Sequence, residues 1–197
     1  MNAPLALSPV HDALQHQVGK KAPANDSLTI ADYSLLPRAG VKGPGAAAWL
    51  EALGLSLPVT PNRWLALPQG GLVARLGQSE YLIDGNAEVA GKLAATARTS
   101  GVYPVLRQDA SFSLAGSRVN ELLLQTCNVD FRVLDAEPSA LVMTSMVGVS
   151  VTVLVEQTGA SPLYRLWCDG TYGLYLWETL AELIAELGGG VVVASVQ

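Results

Sequence analysis

Two histidines, two cysteines and 15% charged residues leave this 197-residue chain short of the side chains that most catalysis uses. The shortage of histidine bears on both metal binding and base catalysis. His11 and His16 are five residues apart, so a helix turns their imidazoles to different sides, and both lie in the first sixteen residues. The two thiols, Cys127 and Cys168, are too few for a disulfide framework and are not at any metal-ligand spacing. A nucleophilic cysteine also needs a base to make thiolate, and both histidines sit far away in sequence. Cys127, beside Asn128 and Asp130, reads as a small buried filler where a helix stops. No apolar run reaches the roughly 18 residues of a membrane-spanning helix. The longest candidate, Leu141–Val155, is β-branched, contains Thr, Ser and Gly, and reads as two strands. Positive charge is scarce as well. With a formal net charge of −5 and no basic stripe, nucleic acid and anionic membrane are poor partners. The segment Met1–Ala13 has neither a basic stretch nor an apolar core of the kind an export signal needs, so the expected location is the cytoplasm, with reduced thiols.

Apolar residues, in contrast, make up half the chain. A charged fraction below the usual quarter means that the surface is mostly hidden internally or that a partner covers part of it. The chain is organised around Phe112–Phe131, which reads as a strand, a tight turn at Ala115-Gly116-Ser117, and a helix with Val119, Leu122, Leu123 and Leu124 on its apolar side. The same grammar occurs at Ala39–Pro58. An offset of 73 residues places Gly43 on Gly116, Trp49 on Leu122 and Leu50 on Leu123. A second offset, 85, places Asp84-Gly85 on Asp169-Gly170, so about twelve extra residues fall between, near Asp135–Ser139 and in the hairpin Val155–Leu163.

Taken in order, residues 1–27 read as an extended arm with a helical turn near His11–Gln17. Strands are expected at Leu28–Ala31 and Arg38–Val41. A helix over Ala46–Leu53 follows, with Pro44 at its first position and a stop at Gly54. Strands at Trp64–Leu67, Leu72–Leu76 and Glu80–Ile83 precede a helix over Ala87–Arg98 and a strand at Val102–Arg107. The second half repeats this pattern: strand Ser111–Leu114, helix Arg118–Thr126, and strands Leu141–Ser145, Val149–Glu156 and Tyr164–Trp167, the last two joined through Thr158-Gly159. A helix then runs to about Glu186, followed by strand Val191–Ser195. The expected class is α+β, with an arm over 1–27 and two ferredoxin-like βαββαβ units over 28–109 and 110–197.

The chemistry-bearing motifs are few. Gly40-Val41-Lys42-Gly43-Pro44-Gly45 fits neither GxGxxG nor GxxxxGK[ST], and Pro44 removes an amide donor from any phosphate cradle. Its glycines serve a strand-to-helix turn. Asp84 and Asp169 stand before helices and read as caps. Trp167, Tyr172, Tyr175 and Trp177 cluster between a strand and the last helix. Neighbours two apart on a helix point apart, so one of Tyr172, Tyr175 or Trp177 is expected at the surface, where exposed aromatics mark protein interfaces.

The run Arg38-Ala39-Gly40-Val41-Lys42-Gly43-Pro44-Gly45-Ala46-Ala47-Ala48-Trp49-Leu50 resembles the opening of the gamma subunit of heterotetrameric sarcosine oxidase. So do Leu114-Ala115-Gly116, Leu122-Leu123-Leu124, and Thr126-Cys127-Asn128-Val129-Asp130-Phe131. Met143-Thr144, Gly148-Val149, Tyr164-Arg165-Leu166 and Trp177-Glu178-Thr179-Leu180 follow in the same order, so the resemblance covers about Leu28 to Leu187. It implies a fold related to the folate-binding T-protein of the glycine cleavage system. It also implies assembly with alpha, beta and delta chains that oxidatively demethylate sarcosine, yielding glycine, peroxide and a one-carbon unit for tetrahydrofolate. In that family FAD, FMN, NAD and zinc belong to the partner chains, and the gamma chain holds none of them. The lysine-glycine-cysteine-tyrosine motif of related iron–sulfur repair proteins is absent.

Three functions follow as expectations. The first is a non-catalytic subunit serving assembly and stability, whose family implicates no site residue as catalytic or metal-binding and whose motifs (Gly43, Pro44, Gly116, Cys127, Asp130, Asp84, Asp169) are structural. The second is a stand-alone folate-binding aminomethyltransferase-like enzyme, for which a carboxylate among Asp84, Asp109, Asp130 and Asp169 would assist departure of the amine. The third is a homodimeric binding module.

Overall fold

The computed structural model describes residues 6–16, 27–132, 139–158 and 161–192. In chain order the elements begin with α1 (His11–Gln15), β1 (Thr29–Asp32), β2 (Arg38–Lys42), α2 (Ala46–Ala52), β3 (Arg63–Ala66), β4 (Leu72–Arg75), β5 (Glu80–Asp84), α3 (Ala87–Ala95) and β6 (Tyr103–Val105). They continue with β7 (Asp109–Ala115), α4 (Val119–Thr126), β8 (Leu141–Met146), β9 (Val149–Thr158), β10 (Ser161–Asp169), a 3-10 turn at Gly170–Tyr172, α5 (Gly173–Glu186) and β11 (Gly190–Val192). Within the described residues the predicted strand bounds hold to within two residues, except that β10 starts at Ser161, three residues before the expected Tyr164. Helix α3 ends at Ala95 rather than Arg98, because Thr96 already has extended backbone angles. Gly159 and residues 193–195 of the expected last strand lie outside the described residues, as do residues 133–138, which hold most of one expected insertion.

The chain forms two compact units, an inserted one (Leu36–Arg107 with Ser139–Leu141) and a flanking one made from the described residues on either side. The inserted unit is an antiparallel five-stranded sheet in the order β3-β4-β5-β2-β6. Its core joins Val41, Val73, Tyr81 and Ile83 of the sheet to Ala46, Trp49 and Leu50 of α2 and Leu93 of α3. The flanking unit is a six-stranded sheet in the order β11-β1-β7-β10-β9-β8. There the core joins Phe112, Leu114, Val153, Tyr164 and Leu166 to Val119, Leu122 and Leu123 of α4 and Leu176, Trp177, Leu180 and Ile184 of α5. Alternate residues of each strand supply these faces, and the helices cover them with residues spaced three and four apart.

Three assignments change. Strand β1 belongs to the flanking sheet, not to a first unit over 28–109: it pairs antiparallel with β7 and parallel with β11. Local pattern specifies a strand but not its neighbours, and both neighbours of β1 come from the far end of the chain. The N-terminal arm is anchored in its described part, since Val10 is buried in the flanking core, Ala13 and Leu14 pack against that core, and the ring of Pro9 lies against Gly173. Leu124 is exposed, because Val119, Leu122, Leu123 and Thr126 already fill the buried face of α4.

The repeat offset of 73 is visible in the backbone. Gly43 has φ +117° and Gly116 has φ +114°, and helices α2 and α4 begin three residues after each. A Cβ at Gly43 would lie 2.2 Å from the carbonyl oxygen of Gly101, and one at Gly116 would lie 2.3 Å from that of Ser27. Both glycines let one strand-to-helix turn press against a neighbouring backbone. Pro44 lies in the turn ahead of the Gly45 N-cap, so it stiffens the approach to α2 rather than occupying its first position.

Candidate functional site

The residues named as motifs are dispersed through both units. Asp84 is not a helix cap. It ends β5 directly opposite Arg38 on β2, and the Arg38 Nε donates to its Oδ2 at 2.7 Å with both side chains almost fully buried. The cap of α3 is Asn86, whose Oδ1 accepts from the Val89 amide at 2.9 Å and whose amide group donates to the Gly70 carbonyl at 2.8 Å. Asp169 does cap: its Oδ1 accepts from the amide and hydroxyl of Thr171. Those hydrogen bonds hold the Asp169 carboxyl below its ordinary pKa, so it stays ionised. Asp130 is a surface carboxylate held by three hydrogen bonds from Arg132, two from its guanidinium and one from its amide, which also lower its pKa.

Of the four nominated carboxylates, the structure brings only Asp109 and Asp169 together, opposite one another at the ends of β7 and β10. Cys168 lies next to them. Burial, followed by the charges of Asp109 and Asp169, pushes its thiol up to about 11. A thiol in negative surroundings is a poor nucleophile. Cys127 is buried at the end of α4 with its Sγ 3.6 Å from the Thr144 hydroxyl, the filler its position predicts. Native protein is therefore expected to show no fast thiol with an aromatic disulfide reagent at pH 8, and two after unfolding. A rapid first equivalent in the native state would contradict this arrangement. The raised thiol pKa also makes stability fall with alkali. The unfolded thiol ionises near 9.0 and the folded one near 11, so the unfolded state gains across that window.

Sequence reasoning passed over Arg165, although the alternation Arg165-x-Trp167 on β10 places both on one face. The Arg165 guanidinium lies 5.4 Å from the ring centre of Tyr33 and 5.1 Å from that of Trp167, and it donates to Glu156 at 3.3 Å. A cation between two rings and beside a carboxylate fixes side chains rather than offering a reactive group. Of the three aromatics at the start of α5, Trp177 is buried edge-on against Phe112 at 5.2 Å, while Tyr172 and Tyr175 are more than half exposed. The expected surface aromatic is thus two tyrosines.

The inserted unit also contains a cavity of about 360 Å³. Its walls are Ala39, Gly40 and Val41 of β2, Trp49 of α2, Ala90, Leu93 and Ala94 of α3, and the Pro104–Leu106 stretch, with Arg38 and Arg98 as its charged residues. Among the described residues no three His, Cys, Asp or Glu side chains converge as a metal site would require. No helix among them is long and apolar enough to cross a membrane.

No protein-family model and no curated protein sequence matches the chain. Solved structures do. A chain of the heterotetrameric sarcosine oxidase from Corynebacterium sp. U-96 superposes with a TM-score of 0.76 at 18% identity, over 96% of this chain and 100% of that one. Glycine cleavage system aminomethyltransferase T from Bartonella henselae matches with a TM-score of 0.57 at 14% identity, over 87% of this chain and 56% of that enzyme. At such identities the likeness is one of fold. The mixed α and β architecture with two sheets is the T-protein-like fold that the sequence resemblance implies.

Proposed function

We propose that this chain is the gamma-type subunit of a sarcosine-oxidase-like assembly and serves assembly and stability rather than chemistry. The observation that carries the reading is the end-to-end correspondence with a chain of a heterotetrameric oxidase, in which neither partner of the match leaves a large segment over. The chemistry of the side chains agrees with it. Asp84 and Asp130 are committed to arginines, Asp169 to Thr171, and the Cys168 thiol is disfavoured as thiolate. On this reading FAD, FMN, NAD, zinc and the tetrahydrofolate site reside on alpha, beta and delta partners, and sarcosine or a related N-methyl amino acid is the substrate of the whole. Each sheet then derives from a βαββαβ unit of the ferredoxin-like kind extended by one edge strand, β3 or β8, and the flanking one also has β1 inserted between its first and last strands.

Recovery of tagged protein from its native cells tests the proposal. A large flavin-bearing chain should come with it, together with sarcosine-dependent peroxide release; a colourless protein arriving alone would reject the subunit reading. Tyr172 and Tyr175 are the proposed anchors for the partner, since exposed tyrosines carry much of the binding energy of interfaces. Replacing both with serine is expected to weaken partner capture by about 2 kcal/mol, roughly thirtyfold. The unfolding midpoint should move little, because both rings are largely outside the core. Unchanged capture would place the interface elsewhere.

The likeness to aminomethyltransferase T favours one second reading, a folate-binding role for the isolated chain. Calorimetric titration with tetrahydrofolate decides it, and no binding by the lone chain would remove it.

A further inference from the structure

We propose that the cavity of the inserted unit binds a small apolar monocarboxylate, with Arg98 holding the acid group and the walls of Trp49, Leu93 and Leu106 holding the body. This proposal does not depend on the subunit reading. Small residues help to make the space: Ala90 and Ala94 stand one turn apart on α3 and line it without long side chains. A volume of about 360 Å³ is at the lower end of the roughly 300–1,000 Å³ typical of ligand sites, which suits a small acid and not a dinucleotide.

Charge selects the class. Two arginines and no carboxylate line the cavity. The charge of Arg38 is already balanced by Asp84 at 2.7 Å. Arg98 is exposed and forms no ion pair with any described residue. One uncompensated cation therefore stands beside an apolar hollow, which matches a molecule with one negative end and an apolar remainder. The segment carrying Arg98 is held in place, because the Trp49 indole donates to the Ala97 carbonyl at 3.2 Å. The ring that forms one wall thus also positions the charged rim.

Calorimetric titration of the full chain with octanoate, and with octanol as the uncharged counterpart, tests the assignment. Octanoate should bind saturably at one site, at least about tenfold more tightly than octanol. Arg98→Ala should lose about tenfold for octanoate and leave octanol unchanged. Ala94→Leu fills the hollow from an exposed helical position that leucine tolerates, and it should weaken both ligands. Arg118→Ala, which removes a surface ion pair with Glu121 in the other unit, should change neither. Absence of saturable octanoate binding, equal affinity for octanol, or full binding by either Arg98→Ala or Ala94→Leu would overturn the proposal.

Discussion

Truncating Asp84 to alanine should destabilise the protein by about 3–5 kcal/mol, a large share of the roughly 5–15 kcal/mol that holds a typical domain. The reason is what remains. Arg38 keeps its charge with its side chain 4% exposed, and it loses the buried carboxylate that accepts from its Nε at 2.7 Å. The pair itself need not be strongly stabilising, since burying two charges costs nearly as much as their attraction returns. A double replacement, Arg38→Met with Asp84→Leu, should therefore recover most of the loss. Denaturant titration of the three variants checks both statements. A loss under about 1 kcal/mol for Asp84→Ala would show that water reaches Arg38 and screens it.

Alanine at Gly116 should cost roughly 2–6 kcal/mol, and alanine at Gly43 a similar amount. Two effects add. A non-glycine residue at such positive φ carries about 1–3 kcal/mol of backbone strain, and forcing a methyl against a fixed carbonyl costs about 1–3 kcal/mol more. Two further glycines separate the effects. Gly54 has φ +89° with nothing near its missing Cβ, so Gly54→Ala should show the strain alone. Gly91 lies within α3 with open space around it, and Gly91→Ala should stabilise by up to about 1 kcal/mol. If Gly116→Ala and Gly54→Ala had equal costs, the contact with Ser27 would carry no weight.

The doubling was readable in the sequence because it rests on local signals. A glycine at a strand-to-helix turn and apolar residues three and four apart specify Gly43 with Trp49 and Gly116 with Leu122, whatever surrounds them. The Asp84–Arg38 pair was not readable. Asp84 precedes a helix, and only the register of β2 against β5 shows that it meets an arginine instead. The placement of β1 escaped for the same reason, since both of its neighbours are distant in the chain. Exposure of Leu124 depended on how many apolar residues α4 needs, which a helical period leaves open. The cavity was invisible because it depends on the smallness of Ala90 and Ala94 in three dimensions, and small residues carry no pattern.

The position of β1 bears on the order in which the protein is assembled. Thr29–Ala31 are among the first described residues to be synthesised, yet their partners are Ser113–Ala115 on one side and Gly190–Val192 on the other. The inserted sheet, whose pairings fall almost wholly between Arg38 and Val105, has its strands together well before β1 has a neighbour. Until the last helix and strand emerge, β1 is an apolar strand with an open edge, the kind of surface that recruits strands from other chains. Loop closure over such separations makes its capture a late step. Among the described strands, the earliest made is the one whose pairing finishes last.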